Sequence, residues 1–262
     1  MKLRSHNPEY CFLAGTGRSG TTVLRNSLGQ HPEIYYNGKE NNVVQDVVDV
    51  ARHNFVSPSR QYALVVDKET YCAAFRDLLI KILWPEPKMR SRPVWMAAIN
   101  PTAETMEFLL EIFPDAKVIG LVRDGVDMVL SRQNHRSFKT GTFESHCRTW
   151  VRTQPVVEWG ESNSGNFRLF MYESLTDRVT LSNAFSELFG WMGLSQNDAP
   201  VEHVFETTYH PTELEDPQSD SSVSSSAEAK RARWQLWNES ERELFRSICG
   251  PFMKQMGFEL PF

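Results

Sequence analysis

The chain has 262 residues, 40% of them hydrophobic and 23% charged, with a net charge of −5. That is globular composition with enough apolar material for one buried core, and it argues against a general nucleic-acid binder, which is basic overall. Four cysteines, Cys11, Cys72, Cys147 and Cys249, are scattered without a C-x-x-C pair, so buried thiols are expected rather than a metal or redox motif.

The first ten residues are polar and lack the apolar run of a signal peptide. No stretch approaches the roughly 18 apolar residues of a membrane span. The expectation for the chain as given is a cytoplasmic protein. Residues 10–14, Tyr-Cys-Phe-Leu-Ala, form a short apolar run ending in Gly15 and read as a buried parallel strand. Thr21 to Gln30 reads as a helix stopped by His31-Pro32. Val43, Val44, Val47, Val48 and Ala51 have helical spacing, as do Tyr71, Ala74, Phe75, Leu78, Leu79 and Ile82.

Pro85 to Pro93 is a proline-rich basic loop, and Val94 to Ala98 is a candidate strand. Asn100-Pro101 reads as a helix cap followed by proline at the first helical position, with the helix continuing to Pro114. Lys117 to Val122 is a second clear strand, followed by Arg123-Asp124-Gly125 and a helix through Arg132. Phe167 to Met171 is a third strand, Val179 to Phe189 a helix, and Glu239 to Met256 a final helix. Strands alternating with helices predict an α/β fold with a parallel sheet covered on both faces. Ser219 to Ser226 is low-complexity, and a mobile loop is expected over about residues 215–229. No repeat or linker divides the chain, so residues 1–262 read as a single domain.

The strongest local signal is Gly15-Thr16-Gly17-Arg18-Ser19-Gly20-Thr21-Thr22, which follows a strand and opens a helix. Glycines allow a tight turn, and amides at the start of a helix point at an anion. Gly15 and Gly20 fit the nucleotide-triphosphatase pattern G-x-x-x-x-G-K-[ST], but Thr21 stands where the lysine belongs. Arg18 supplies a cation from inside the loop instead. A bare strand-to-helix turn has no need of the arginine, serine and paired threonines.

In the second constellation a strand ends at Arg123 and Ser131 follows about two helical turns later, a rise of about 11–12 Å. Both reach one phosphate only if it lies beside the helix. Asp124 is suited to cap that helix. By residue type alone, an ion-paired Arg123 and a surface Ser131 fit equally well.

Together the two segments resemble the sulfotransferase family that uses 3′-phosphoadenosine 5′-phosphosulfate. The Arg-Ser-Gly-Thr-Thr loop is similar to that of the carbohydrate and tyrosylprotein branches, and Val-Arg-Asp-x-x-Asp-x-x-x-Ser to the family's 3′-phosphate segment. Weaker matches are Met171-Tyr172-Glu173-Ser174-Leu175, Arg233-Trp234 and Met256-Gly257-Phe258. The resemblance implies a P-loop, three-layer α/β/α fold with a central parallel sheet, and transfer without a catalytic metal. It assigns Gly17, Arg18, Ser19, Gly20, Thr21 and Thr22 to the 5′-phosphosulfate and Arg123 and Ser131 to the 3′-phosphate. Arg231 and Arg233, in a basic segment before the last helix, are assigned to the nucleotide.

The resemblance also makes Glu40, after Lys39, the base that takes the acceptor proton, although a carboxylate there also suits the start of the following helix. Arg18 is the second catalytic candidate. Many relatives carry a lysine where this chain has Ile99, so a cation that assists the leaving phosphate is missing there. The implied activity is transfer of a sulfuryl group to a hydroxyl or amine of a small-molecule or glycan acceptor, releasing adenosine 3′,5′-bisphosphate. The rivals are a P-loop small-molecule kinase needing magnesium and ATP, and a catalytically weak nucleotide-binding relative.

Overall fold

The structure is a computed structural model that describes residues 9–36, 42–61, 64–83, 92–207 and 232–262. In chain order the elements are β1 (Glu9–Gly15), α1 (Thr21–Leu28), β2 (Ile34–Tyr36), α2 (Val43–Val56), α3 (Pro58–Gln61), α4 (Lys68–Leu83), β3 (Val94–Ile99), α5 (Ala103–Ile112) and β4 (Lys117–Val122). Next come α6 (Gly125–Asn134), α7 (Phe143–Val151), α8 (Gln154–Ser162), β5 (Phe167–Met171) and a 3-10 turn (Tyr172–Thr176). The chain continues with α9 (Arg178–Met192), α10 (Ala199–Thr207), a second 3-10 turn (Ala232–Leu236) and α11 (Glu239–Gln255).

Among the described residues five strands form one sheet in the order β2-β3-β1-β4-β5, with every neighbouring pair parallel. Alternate residues of β1 enter opposite cores, as the two-residue period of a strand requires. Cys11 and Leu13 pack with Leu24 and Leu28 of α1 and Phe185 and Phe189 of α9. Phe12 and Ala14 pack with Val44 and Val48 of α2 and Met106 and Leu109 of α5. Burial on both faces is why β1 and β4 read as continuous apolar runs.

A third cluster joins α6, α7 and α11 through Met128, Val129, Trp150, Phe245 and Phe252. All four cysteines are buried, and Cys249 Sγ lies 3.8 Å from the carbonyl oxygen of Cys147 in this cluster. His31 is buried, packs its ring on Phe189 with a centroid separation of 4.6 Å, and accepts the Glu33 N–H at Nδ1. Its Nε2 stands 2.9 Å from the Ser195 carbonyl, which ties the end of α1 to the far side of α9.

The topology places the loop after β1. The chain leaves β1 through α1 for β2 on one side, and leaves β3 through α5 for β4 on the other. The carboxyl end of β1 therefore lies where the direction of winding reverses, the crevice in which α/β sheets bind ligands.

Helices α3, α7, α8 and α10 were not expected from the sequence, and two further details differ from expectation. The helix after β3 begins at Ala103, not Pro101, because Thr102 takes the extended conformation and accepts the Thr105 N–H at 3.2 Å. The three-residue β2 carries no signal in the sequence: it is too short to show a period and joins the sheet only through β3. Residues 84–91 of the proline-rich loop and the serine-rich stretch lie outside the described residues.

Phe167 of β5 is wedged between two glycines. A Cβ on Gly120 would stand 2.3 Å from its Cζ, and one on Gly160 would stand 2.3 Å from its Cδ1. In α8, alanine gains up to about 1 kcal/mol of helix propensity over glycine. Here the ring has no side to yield to, so the steric term decides. Gly160→Ala is expected to lose about 1–3 kcal/mol of stability in urea unfolding, with partial recovery when Phe167→Leu is added. A more stable Gly160→Ala protein would contradict this packing.

Candidate active site

The loop between β1 and α1 is built around one strained residue. Arg18 has φ 82, the left-handed region that non-glycine residues rarely adopt. Ser19 is buried, and its amide donates to the Thr16 carbonyl at 3.1 Å, closing the turn. Gly20, at φ 99 and ψ 12, caps α1 without a side-chain hydrogen bond, and no acidic residue stands in the first turn of that helix. The start of α1 thus retains the amide-rich, positive character that favours anions. Thr21 is buried with its methyl 2.7 Å from where a Gly15 Cβ would stand, whereas Thr22 is exposed.

Three guanidiniums converge on this loop. Arg18 Nε donates to Ser131 Oγ at 3.1 Å. Arg123 Nη1 reaches the Arg18 carbonyl at 3.4 Å, and its Nη2 meets Asp127 at 3.3 Å. Arg132 Nη1 reaches the Gly17 carbonyl at 3.4 Å. Two of the three lie over aromatic rings: Arg123 is 4.2 Å from the centroid of Tyr172, and Arg132 is 4.1 Å from that of Phe138.

The same rings rest on the loop glycines. A Cβ on Gly20 would lie 2.3 Å from Tyr172 Cδ2, and one on Gly17 would lie 3.3 Å from Phe138 Cζ. Glycine is required at position 20 twice over, by its positive φ and by the approach of the ring.

The frame behind Arg123 is polar and half-buried. Asp124 caps α6 by accepting the Val126 and Asp127 amides at 2.8 and 3.1 Å. Glu173 accepts the Asp124 N–H at 2.8 Å, and Trp150 Nε1 donates to the Arg123 carbonyl at 2.9 Å. Arg123 Nε is buried without a hydrogen-bond partner, a guanidinium edge with donor capacity to spare.

A family model described as "Sulfotransferase family" matches residues 11–179. The chain belongs to the sulfotransferase family. It is similar to the protein-tyrosine sulfotransferase of Drosophila melanogaster, 24% identical over 219 residues that make up 78% of this chain and 42% of that protein. It is also similar to protein-tyrosine sulfotransferase 1 of Danio rerio, 27% identical over 151 residues that cover 54% of this chain and 41% of the relative. The chain therefore spans less than half the length of these relatives.

Its fold is similar to that of the sulfotransferase domain from the Synechococcus PCC 7002 olefin synthase, with a TM-score of 0.60, 16% identity and 99% coverage of both chains. A mouse sulfotransferase solved in complex with PAP has a TM-score of 0.53, 13% identity and coverage of 96% of this chain and 88% of its own. The three-layer arrangement with a central parallel sheet is thus that of the sulfotransferases.

The structure brings together Gly17, Arg18, Ser19, Gly20, Thr21, Thr22, Arg123 and Ser131, with Arg18 as the link between loop and α6. Ile99 is a buried core side chain at the end of β3, paired in register with Ala14. Lys39, Glu40 and Arg231 lie outside the described residues. Arg233 falls in the second 3-10 turn, and its side chain is likewise outside them. Arg132, Tyr172 and Phe138 join the site only in the fold. In the sequence Arg132 reads as one member of a basic cluster with His135, Arg136 and Lys139, and Tyr172 as part of a weak strand-end match.

Burial raises the carboxyls of both Glu173 and Asp124 above their ordinary ranges, outweighing the amides that each accepts. A carboxyl whose affinity for its proton is higher in the folded state contributes stability below its unfolded pKa. That contribution is lost as pH rises through the folded value. Glu173→Gln keeps an oxygen to accept the Asp124 N–H but removes this titration. Thermal unfolding followed from about pH 4 to 7 should show Tm falling less steeply with rising pH in the variant. An unchanged slope would mean that Glu173 does not titrate in this window.

Proposed function

We propose that the chain transfers a sulfuryl group from 3′-phosphoadenosine 5′-phosphosulfate to a hydroxyl or amine. The observation that carries this reading is the contact of Arg18 with Ser131, at 3.1 Å, beside a helix start without a side-chain cap and a third partner, Arg123. It joins the two segments that the family resemblance assigns to the two ends of one nucleotide. One phosphate beside α6 and another at the start of α1 suit a 3′,5′-bisphosphate better than a linear triphosphate. The lysine that a triphosphate loop uses is absent at Thr21.

In this reading the loop amides and Arg18 stabilise the negative charge that grows on the leaving phosphate as the bond from sulfur to the bridging oxygen breaks. Thr21 or Thr22 assists. Glu40 takes the acceptor proton as the acceptor atom bonds to sulfur. Arg123 and Ser131 hold the 3′-phosphate, and Arg231 and Arg233 close on the nucleotide. The acceptor is a small molecule or a glycan, and the relatives named protein-tyrosine sulfotransferases add the phenolic hydroxyl of a protein tyrosine.

Adenosine 3′,5′-bisphosphate should raise Tm, and ADP much less; a ligand at about 100 times its Kd stabilises by about 2.7 kcal/mol. Ser131→Ala and Arg123→Ala should each reduce that preference. Equal shifts from the two nucleotides in the unsubstituted protein would overturn the donor assignment.

With a labelled donor and a panel of phenolic, glycan and amine acceptors, Glu40→Gln should depress turnover by about 10²–10⁴-fold while leaving bisphosphate binding nearly intact. Arg18→Ala should weaken both. Near-normal turnover by a folded Glu40→Gln protein would assign the base to another residue.

A further inference from the structure

Arg18 is flanked by two peptide planes, and an arginine from the strand-to-helix segment of α6 holds the carbonyl oxygen of each. Arg132 Nη1 is on Gly17 O and Arg123 Nη1 is on Arg18 O, both at 3.4 Å. Because each peptide is planar, fixing the directions of two successive carbonyls fixes the rotation of both planes about the α-carbon between them, which is its φ and ψ. The left-handed conformation of Arg18 carries a strain of about 1–3 kcal/mol that persists only when its surroundings over-determine it.

Arg132 has been placed for this task. Its guanidinium is stacked on Phe138 at 4.1 Å, and its Nε points at Nδ1 of His146 at 3.4 Å. His146 is itself buried, with 2% of its surface exposed, and the ring accepts from Arg132 only when neutral at Nδ1. Burial and the adjacent Arg132 both hold the histidine pKa below its ordinary range, consistent with that geometry. Among the described residues no carboxylate pairs with Arg132, whereas Arg123 has Asp127. Burial and the nearby charge of Arg18 disfavour the charged form of Arg132. A guanidinium kept in such a place, stacked, aimed and without a paired carboxylate among the described residues, is suited to a loop that receives an anion.

We propose that Arg132, oriented by a neutral His146, is a positioning residue that holds the Gly17–Arg18 peptide and so keeps the loop in the conformation that receives the 5′-phosphate end of the donor. The proposal rests on the donor reading above. Trans geometry puts the Arg18 N–H opposite the Gly17 carbonyl, so the clasp sets the direction of that amide as well as the backbone from which the Arg18 side chain departs. The consequence is confined to one end of the nucleotide. The 3′-phosphate partners, Arg123 and Ser131, touch Arg18 as well, but the backbone that carries them is held by the Asp124 cap of α6 and by the Trp150 hydrogen bond to the Arg123 carbonyl.

Isothermal titration with two ligands separates the ends: adenosine 3′,5′-bisphosphate, and adenosine 3′-monophosphate, which lacks the 5′-phosphate. Arg132→Gln is expected to weaken bisphosphate binding by about tenfold, the size of one charge-assisted hydrogen bond. Affinity for the 3′-monophosphate should stay within about twofold by the same argument. Arg132→Lys keeps the charge but cannot reach Gly17 and His146 while stacking on Phe138, so it should fall between the two proteins. It carries the test alone if Arg132→Gln does not fold.

Undiminished bisphosphate affinity in the folded variants overturns the proposal. So does an equal loss for both ligands, which would mark a general structural role. Failure of the unsubstituted protein to bind either ligand overturns the donor reading, and this proposal with it.

Discussion

The site depends on one backbone constraint, the left-handed conformation of Arg18. Left-handed backbone is disfavoured for a side chain with a Cβ, yet arginine stands there and glycine does not. The conformation is held from outside the loop. The carbonyls on either side of Arg18 are engaged by Arg123 and Arg132, and the Ser19 amide that follows closes on Thr16. The side chain freed by this turn reaches Ser131 on α6, so loop and helix constrain each other.

Helix α6 is therefore the organising element, and its own placement has a traceable cause. Gly125 lets Trp150 of α7 approach to 2.9 Å of a notional Cβ, and Trp150 donates to the Arg123 carbonyl. Asp124 caps the helix, and Glu173 holds the Asp124 amide from the 3-10 turn that follows β5. The cluster of α6, α7 and α11 thus positions the guanidiniums, while the parallel sheet positions the loop they hold. The glycines at 17 and 20 complete the arrangement: each admits an aromatic ring, and each ring carries one of the two clasping arginines.

The main strands were legible because both faces of the sheet are covered. An apolar run as short as Lys117–Val122, ending at a charged residue, suits a strand buried on both faces far better than a helix, and the structure has the strand at those residues. Asp124 was legible as a cap because capping is local, and the same holds for the end of α1 near His31. The start of α5 was misplaced by two residues because Asn100-Pro101 and Thr102 are both plausible caps, and only the backbone at Thr102 decides between them. Ile99 raised the question of a missing cation. The strand pairing gives its side chain a place in the core opposite Ala14, with no bearing on where another cation would stand.

By itself the sequence showed the loop, its arginine and four of the five described strands, because each of these is written in neighbouring residues, while Arg123 and Ser131 were singled out by the family resemblance. The tertiary structure alone decided that Arg132 clasps Gly17, that Phe138 and Tyr172 carry two of the guanidiniums, and that His146 stands behind Arg132. The physical reason is that these are contacts between elements separated by many residues, set by which face of α6 turns towards the loop. A basic run such as Arg132 to Lys139 reads the same in sequence whether it faces water or an anion site. Only the packing of α6 against α7 and the sheet chooses between them.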